Sequence, residues 1–399
     1  MRIRETGLFL GVLLASLLTA EVVLRFLAPV PAGTEAPPGE SLRVTVKQTL
    51  PGLQPEITYQ RNAYGLRTTA RIPGPREPGV TRILCLGAST TDQATQSLED
   101  MWCSRLAEGL NRQFAEASLR FEAAAFGRGG YRAVDLLAWA QDSLAAIQAD
   151  LVVLLVGIND LALVGGPEYR YAGLDASLAR SRAVRSHPKA EPSRLYRFCP
   201  APFQLCRRVV HLKKRLSTNS LEWHSAELPR LRAEYRELPV VAEPRREPDP
   251  IVEFREAADS LTGLLQASGI RTVLVGQPTL WSAQATDEAR ATWWFGIQTP
   301  LGAVRPSGAW LSSEMARYNA VLESVARNRS AAYVDLPGMI PRTLEYFFDD
   351  CHFTDRGSAK VAELLASRIA VLLAAASLVH VGSGPHHAGP GESRRRKPL

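Results

Sequence analysis

The chain is short of the residues that build metal, redox and nucleotide sites. Five cysteines and seven histidines are spread through 399 residues. No CxxC pair and no Cys/His cluster has zinc spacing, so no metal is expected. No Gly-rich phosphate loop occurs either, and no cofactor is expected. Nucleic-acid motifs are also missing. The formal net charge is +7, but the densest basic clusters come without zinc-finger spacing, an RNP-type aromatic motif or a homeodomain pattern. Those clusters, Arg207, Arg208, Lys213, Lys214 and Arg215, and the tail Arg394 to Lys397, read as solvated faces. Five cysteines at this length do not make a disulfide scaffold. Cys85 lies in an apolar strand and Cys103 faces a helix interior, both as core residues, and Cys351 reads as a packing residue. Cys199 and Cys206 flank "CPAPFQLC" and offer a pairing in an oxidising compartment.

What is present is a globular composition, 46% hydrophobic and 22% charged, with ample material for a core. The first thirty residues stand apart. Arg2 and Arg4 precede a nearly uncharged run from Gly7 to Ala20 that continues as "EVVLRFLAPV". Taken to Val30, the run is long enough to span a bilayer. Leu18 stands where a cleavage site needs a small residue, so an uncleaved signal-anchor over 1–30 is expected rather than a removed signal peptide. The positive-inside rule then places the body outside the cytoplasm, periplasmic or extracellular, with the membrane as a partner through this segment.

Residues 31–79 read as a linker and lead-in, opening with the Pro/Gly/acid stretch "PAGTEAPPGE". From 80 to 378, strand-like and helix-like patterns alternate. The strand candidates are 82–87, 120–125, 151–157, 271–276 and 331–336. Helix periodicity runs through Trp102, Leu106, Leu110 and Phe114, and over 131–147, 251–268, 312–328 and 356–377. Apolar strands separated by helices predict an α/β fold of three layers, with a mostly parallel sheet of about five strands. An Arg-, Pro- and Glu-rich insert occupies about 163–250, and a basic tail, read as disordered, covers 379–399.

In such sheets, ligands bind beyond the carboxyl ends of the strands. Four strand ends carry candidate chemistry. The first gives "ILCLGASTTDQ" (83–93), where Ser89 follows Gly87-Ala88. As a helix N-cap it is bland; as a nucleophile it needs a base, an orienting acid and oxyanion donors at the same edge. The second, "FGRGGYRAVD", offers Gly127, Gly129 and Gly130 before a helix, as turn formers or as backbone N–H donors. The third ends in Gly157-Ile158-Asn159-Asp160, where Asn159 is either a turn residue or an amide donor to an oxyanion. Last comes "YFFDDCHFTDRG". There Asp349 and His352 stand three apart, a spacing that lets the carboxylate hold Nδ1–H and leave Nε2 to take the serine proton.

In this order, the four blocks resemble the SGNH (GDSL-type) hydrolase superfamily over roughly 80–375. "RNAYGLR" (61–67) is similar to the lead-in of membrane-anchored bacterial members. The resemblance implies a flavodoxin-like fold, a catalytic triad of Ser89, His352 and Asp349, and an oxyanion hole from Ser89, Gly130 and Asn159. Two departures stand out: Ala88 replaces the usual Asp, and Ala125 takes the place of the second-block Asn, which leaves the choice among Gly127, Gly129 and Gly130 open. The elbow of α/β-hydrolases is excluded, because it needs Gly two positions after the serine and Thr91 stands there.

A serine esterase acting on a small-molecule or glycan ester is the expected function. The alternatives are acyl transfer to cell-envelope polysaccharide with the same residues, and a non-catalytic envelope binding protein. Trp281, Trp293 and Trp294, in "QPTLWSAQATDEARATWWFGIQTP", are candidates for lining the acyl or sugar pocket, or else for packing the insert on the core.

Overall fold

In the computed structural model the described residues are 16, 42–186 (63, 73, 75, 76 and 118 excepted) and 227–382. The expected span over 1–30, apart from Ser16, lies outside them, as do the Cys199–Cys206 pair and residues 383–399 of the tail. Among the described residues, no helix is long and apolar enough to cross a membrane.

Strands β1 (Leu42–Lys47) and β2 (Glu56–Arg61) pair antiparallel ahead of the main sheet, so the lead-in contains a hairpin. The main sheet holds β3 (Val80–Gly87), β4 (Arg120–Gly127), β5 (Leu151–Leu155), β6 (Arg271–Val275) and a fifth strand near the end of the chain. A small antiparallel hairpin, β7 (Ile297–Thr299) and β8 (Gly302–Val304), interrupts the series before that fifth strand, β9 (Ala332–Val334). The order across the sheet is β4-β3-β5-β6-β9, and every pairing is parallel. β5 is buried along its whole length, because helices cover both faces.

Handedness explains the layering. The chain steps one way from β3 to β4 and the other way through β5, β6 and β9. Right-handed crossovers therefore put the first connecting helix, Trp102–Gln113, on one face and the later ones on the other. Trp102–Gln113 packs against the final helix, Asp355–Gly382. Ala133–Ile147 packs against Ile251–Ala267, which packs in turn on Gly308–Asn328. The reversal of direction at β3 is the switch point where a doubly wound sheet opens a crevice. Ser89 follows β3 directly.

The insert contributes the helices Leu174–Ser186 and Glu227–Glu237. One sequence reading is corrected here. Cys85 and Cys103 are not independent core thiols but a disulfide joining β3 to the helix behind it, with Cα atoms 6.1 Å apart. Both positions are apolar in pattern and buried, and hydropathy does not distinguish a buried thiol from a buried half-cystine.

Candidate active site

Ser89 begins a one-turn helix, Ser89–Asp92, at the carboxyl end of β3. The turn is tight because the flanking residues are small. A Cβ on Gly87 would lie 2.2 Å from Thr91 Oγ1 and 2.5 Å from the Leu155 carbonyl. From the neighbouring strand, Gly127 presses on the same turn, and a Cβ there would sit 2.4 Å from the Asp92 amide. Gly127 is thus a close-approach glycine. Gly130 is glycine for a different reason, a left-handed φ of 79° in the loop that leads into helix Ala133–Ile147. Gly129 meets no such constraint.

The third block is also shaped by its glycine. Gly157 has φ of 130° and precedes the short helix Ile158–Ala162. That conformation turns the chain so that Asn159 is buried and its Nδ2 donates to the Tyr131 carbonyl at 2.8 Å. Block three is thereby tied to block two. The adjacent Asp160 accepts from the Ala133 amide at 3.0 Å through Oδ1, while its Oδ2 is buried with no partner. Burial pushes its carboxyl up to about 7, against the pull of that amide.

His352 arrives from the loop before helix Asp355–Gly382, and the structure brings it to Ser89. His352 Nε2 lies 2.8 Å from Ser89 Oγ. On the other side of the ring, Nδ1 lies 2.8 Å from Asp349 Oδ2 and 2.9 Å from Oδ1. The Asp349 carboxylate is 1% exposed, yet fully satisfied. Oδ1 accepts from the backbone amides of Cys351 (3.0 Å) and His352 (2.9 Å), and Oδ2 also accepts from Trp294 Nε1 (2.9 Å). Burial alone would raise this carboxyl, but His352 and these donors outweigh it and hold it below the usual range. Burial likewise disfavours the imidazolium, and Asp349 overrides it, raising His352 well above its ordinary value.

Asp350, the next residue in the chain, faces away. Its Oδ1 accepts from Trp281 Nε1 at 2.7 Å and its Oδ2 from the Trp294 amide at 2.7 Å. Burial first, and then the charge of Asp349, raise its carboxyl. Asp350 thus fixes the backbone of the residue that donates to Asp349. It is a supporting contact that sequence reasoning missed; the doubled acid of "FFDDCH" was the signal.

The tryptophan expectation needs correction. Trp281 (0% exposed) and Trp293 (4%) are core residues, with no open face for a substrate. Their large apolar areas are used on the protein itself. Trp294 alone is half-buried at the site, its indole parallel to the His352 ring at a centroid distance of 6.4 Å. Phe348 flanks the same imidazole at 5.7 Å. Asp349, Cys351 and His352 place potential ligand atoms within 4.8 Å of one another. Burial drives the Cys351 thiol up to about 11, and the Asp349 oxygens are already engaged by His352, two backbone amides and the Trp294 indole. Two cavities, of about 410 and 440 Å³, lie elsewhere, against the β6 and β9 strands, and no triad residue lines either.

Residues 85–239 match the model of the GDSL-like Lipase/Acylhydrolase family. A comparison with curated proteins finds no match. Three solved structures illustrate the remote likenesses. LAE5, an alpha/beta hydrolase enzyme from the metagenome of Lake Arreo, Spain, is 15% identical with a TM-score of 0.39, covering 73% of this chain and 96% of its own. An acetyl xylan esterase, AlAXEase, is 14% identical with a TM-score of 0.39, covering 72% and 99%. Axe2, an acetylxylan esterase from Geobacillus stearothermophilus, is 14% identical with a TM-score of 0.38, covering 72% and 94%. Likenesses this remote carry no argument about substrate. The matched segment takes in the first three strand-end blocks, with Ser89 and Asn159; over it the chain is similar to GDSL-like lipases and acylhydrolases, and the match supports a hydrolase acting on ester bonds.

Proposed function

We propose that the protein is a serine esterase working through an acyl-enzyme, with Ser89 as nucleophile, His352 as general base and acid, and Asp349 as the orienting acid. The observation that carries this reading is the unbroken chain from Asp349 Oδ2 to His352 Nδ1 and from His352 Nε2 to Ser89 Oγ, with both links at 2.8 Å. Ser89 Oγ attacks the ester carbonyl carbon while its proton passes to Nε2. Collapse of the tetrahedral intermediate breaks the bond to the alkoxy oxygen, which leaves with the proton from Nε2. Water then repeats the sequence on the acyl-enzyme, losing its proton to Nε2, and Ser89 Oγ departs with it. Asp349 stays ionised throughout and stabilises the imidazolium.

For the oxyanion we assign the N–H groups of Ser89 and Gly130 and the Asn159 amide. An amide nitrogen carries two donors, and one of them is used on Tyr131 O. We further propose an extracytoplasmic, membrane-anchored enzyme. Arg2 and Arg4 ahead of the apolar run support this, as does the Cys85–Cys103 disulfide, a bond suited to an oxidising compartment.

The test is Ser89→Ala on the full chain, assayed with p-nitrophenyl acetate and with alcohol acceptors that would reveal acyl transfer. Ester turnover should vanish while the protein stays folded, because only oxyanion-hole and binding effects remain. Turnover equal to that of the wild type in Ser89→Ala would end this reading.

A further inference from the structure

Residues 48–67 look like a lead-in to the domain, yet in the structure they are wrapped on the far end of the serine turn. The helix Ser89–Asp92 has four residues and ends at Gln93 in the left-handed region, φ 45°. A single turn does not support itself, since nucleation costs more than one hydrogen bond returns. Its trailing carbonyls also lack helical partners, although that of Gln93 accepts from the Gln96 amide at 2.9 Å. Arg67, 2% exposed, supplies them. Its Nη1 donates to the carbonyls of Asp92 (2.5 Å) and Gln93 (2.7 Å), and its Nη2 to that of Gln96 (2.7 Å).

Arg67 is itself fixed. Its backbone exchanges two 2.9 Å hydrogen bonds with Ala125 of β4, and its guanidinium lies 4.5 Å from the centre of the Tyr59 ring. The same segment grips the Asp92 side chain. Arg61 Nη2 pairs with Oδ2 at 2.8 Å and also donates to the Gly127 carbonyl at 3.0 Å, and the Tyr59 hydroxyl donates to Oδ1 at 3.2 Å. Arg61 thus ties the serine turn to the second block, whose Gly127 already touches it. A planar fork with five donors can serve three carbonyls; an ammonium cannot do so from one place.

We propose that Arg67, supported by Arg61 and Tyr59, is a positioning residue for Ser89: the lead-in holds the nucleophile turn in register with His352 and so belongs to the catalytic apparatus. The proposal rests on the reading of Ser89 as nucleophile. Drift of the turn by about 1 Å would take Oγ out of hydrogen-bond reach of Nε2, a misplacement worth about 10²-fold in rate.

The experiment uses the full chain, with Arg67→Lys as the perturbation and Arg82→Lys as a matched control. Arg82 is 1% exposed and bonded to Glu122, Gly74 and Ile147 at the opposite end of β3. Two rates are read: kcat on p-nitrophenyl acetate, and phosphonylation by an alkyl fluorophosphonate, located by mass spectrometry. In the second, Ser89 Oγ bonds to phosphorus, fluoride leaves, and the serine proton passes to His352. Arg67→Lys should lower both rates by about 10- to 10²-fold with KM and the acid limb of the pH profile unmoved. Arg82→Lys should lower the Tm while keeping kcat. Should Arg67→Lys fail to fold, Arg61→Met is the second variant, with losses in the same direction. Wild-type rates in a folded Arg67→Lys or Arg61→Met variant would overturn the proposal, as would an equal loss of kcat in Arg82→Lys. A wild-type protein that neither hydrolyses the ester nor takes label at Ser89 would instead remove the reading of Ser89 itself.

Discussion

Replacing Asp349 with Asn tests the site through the arrangement of its hydrogen bonds. Asp349 Oδ1 accepts from two backbone amides, Cys351 at 3.0 Å and His352 at 2.9 Å. Neither amide can move without breaking the loop. In Asp349→Asn the amide oxygen is therefore held at that position, and the NH2 group must take the place of Oδ2. There it faces His352 Nδ1 at 2.8 Å and Trp294 Nε1 at 2.9 Å. A donor facing Nδ1 forces the imidazole to accept there and to carry its proton on Nε2, pointing at Ser89 Oγ. The base then has no lone pair for the serine. A reversed tautomer of this kind costs about 10⁴ in kcat. The same NH2 also opposes the indole N–H, leaving buried donors unpaired at about 1–3 kcal/mol. Two measurements follow, kcat on p-nitrophenyl acetate and the free energy of unfolding. Adding Trp294→Phe removes the clashing donor, so the double variant should regain stability while its kcat stays low. A kcat for Asp349→Asn within about tenfold of wild type would refute the tautomer argument. A double variant less stable than Asp349→Asn would refute the assignment of the amide orientation.

The raised pKa of His352 gives a pH prediction. The free enzyme needs a neutral imidazole, so kcat/KM should fall as pH drops through a midpoint above the ordinary imidazole value of about 6.5; a midpoint at or below that value contradicts the Asp349 pairing. Asp160 makes a stability prediction of its own. Its folded carboxyl is raised to about 7 by burial, so its contribution is fully present below the unfolded value near 3.9 and is lost as pH rises towards 7. Asp160→Asn keeps the Oδ1 acceptor for the Ala133 amide and escapes that loss. Denaturant titration should therefore show the variant gaining on wild type between about pH 4 and pH 8, by at most about 4 kcal/mol; a difference that does not change with pH would contradict it.

The sequence by itself determined the local chemistry. Apolar strands ending in small residues, acids and amides are a short-range pattern, and each was legible without neighbours. "LCLGAST", "LLVGIND" and "DDCH" each place a candidate side chain beyond a strand or before a helix, because strand length and turn residues are local properties. Parallel pairing was legible too, since only a doubly covered sheet needs strands as uniformly apolar as β5. Pairings between distant segments were not. Cys85 and Cys103 met because helix Trp102–Gln113, packed on β4 and the final helix, brings its first turn to β3 with the two Cα atoms 6.1 Å apart, a contact the apolar pattern permits but does not single out. Three tryptophans of one sequence stretch had the same composition signal, and only packing separated Trp294, turned to Asp349, from Trp281 and Trp293, turned to the core. Nothing local in "RNAYGLR" marks Arg67 as the donor to the carbonyls of Asp92, Gln93 and Gln96, at and just beyond the end of the serine turn. Those carbonyls need a partner only once the chain has folded around them and water is gone, and so the tertiary structure alone decided which residue met that need.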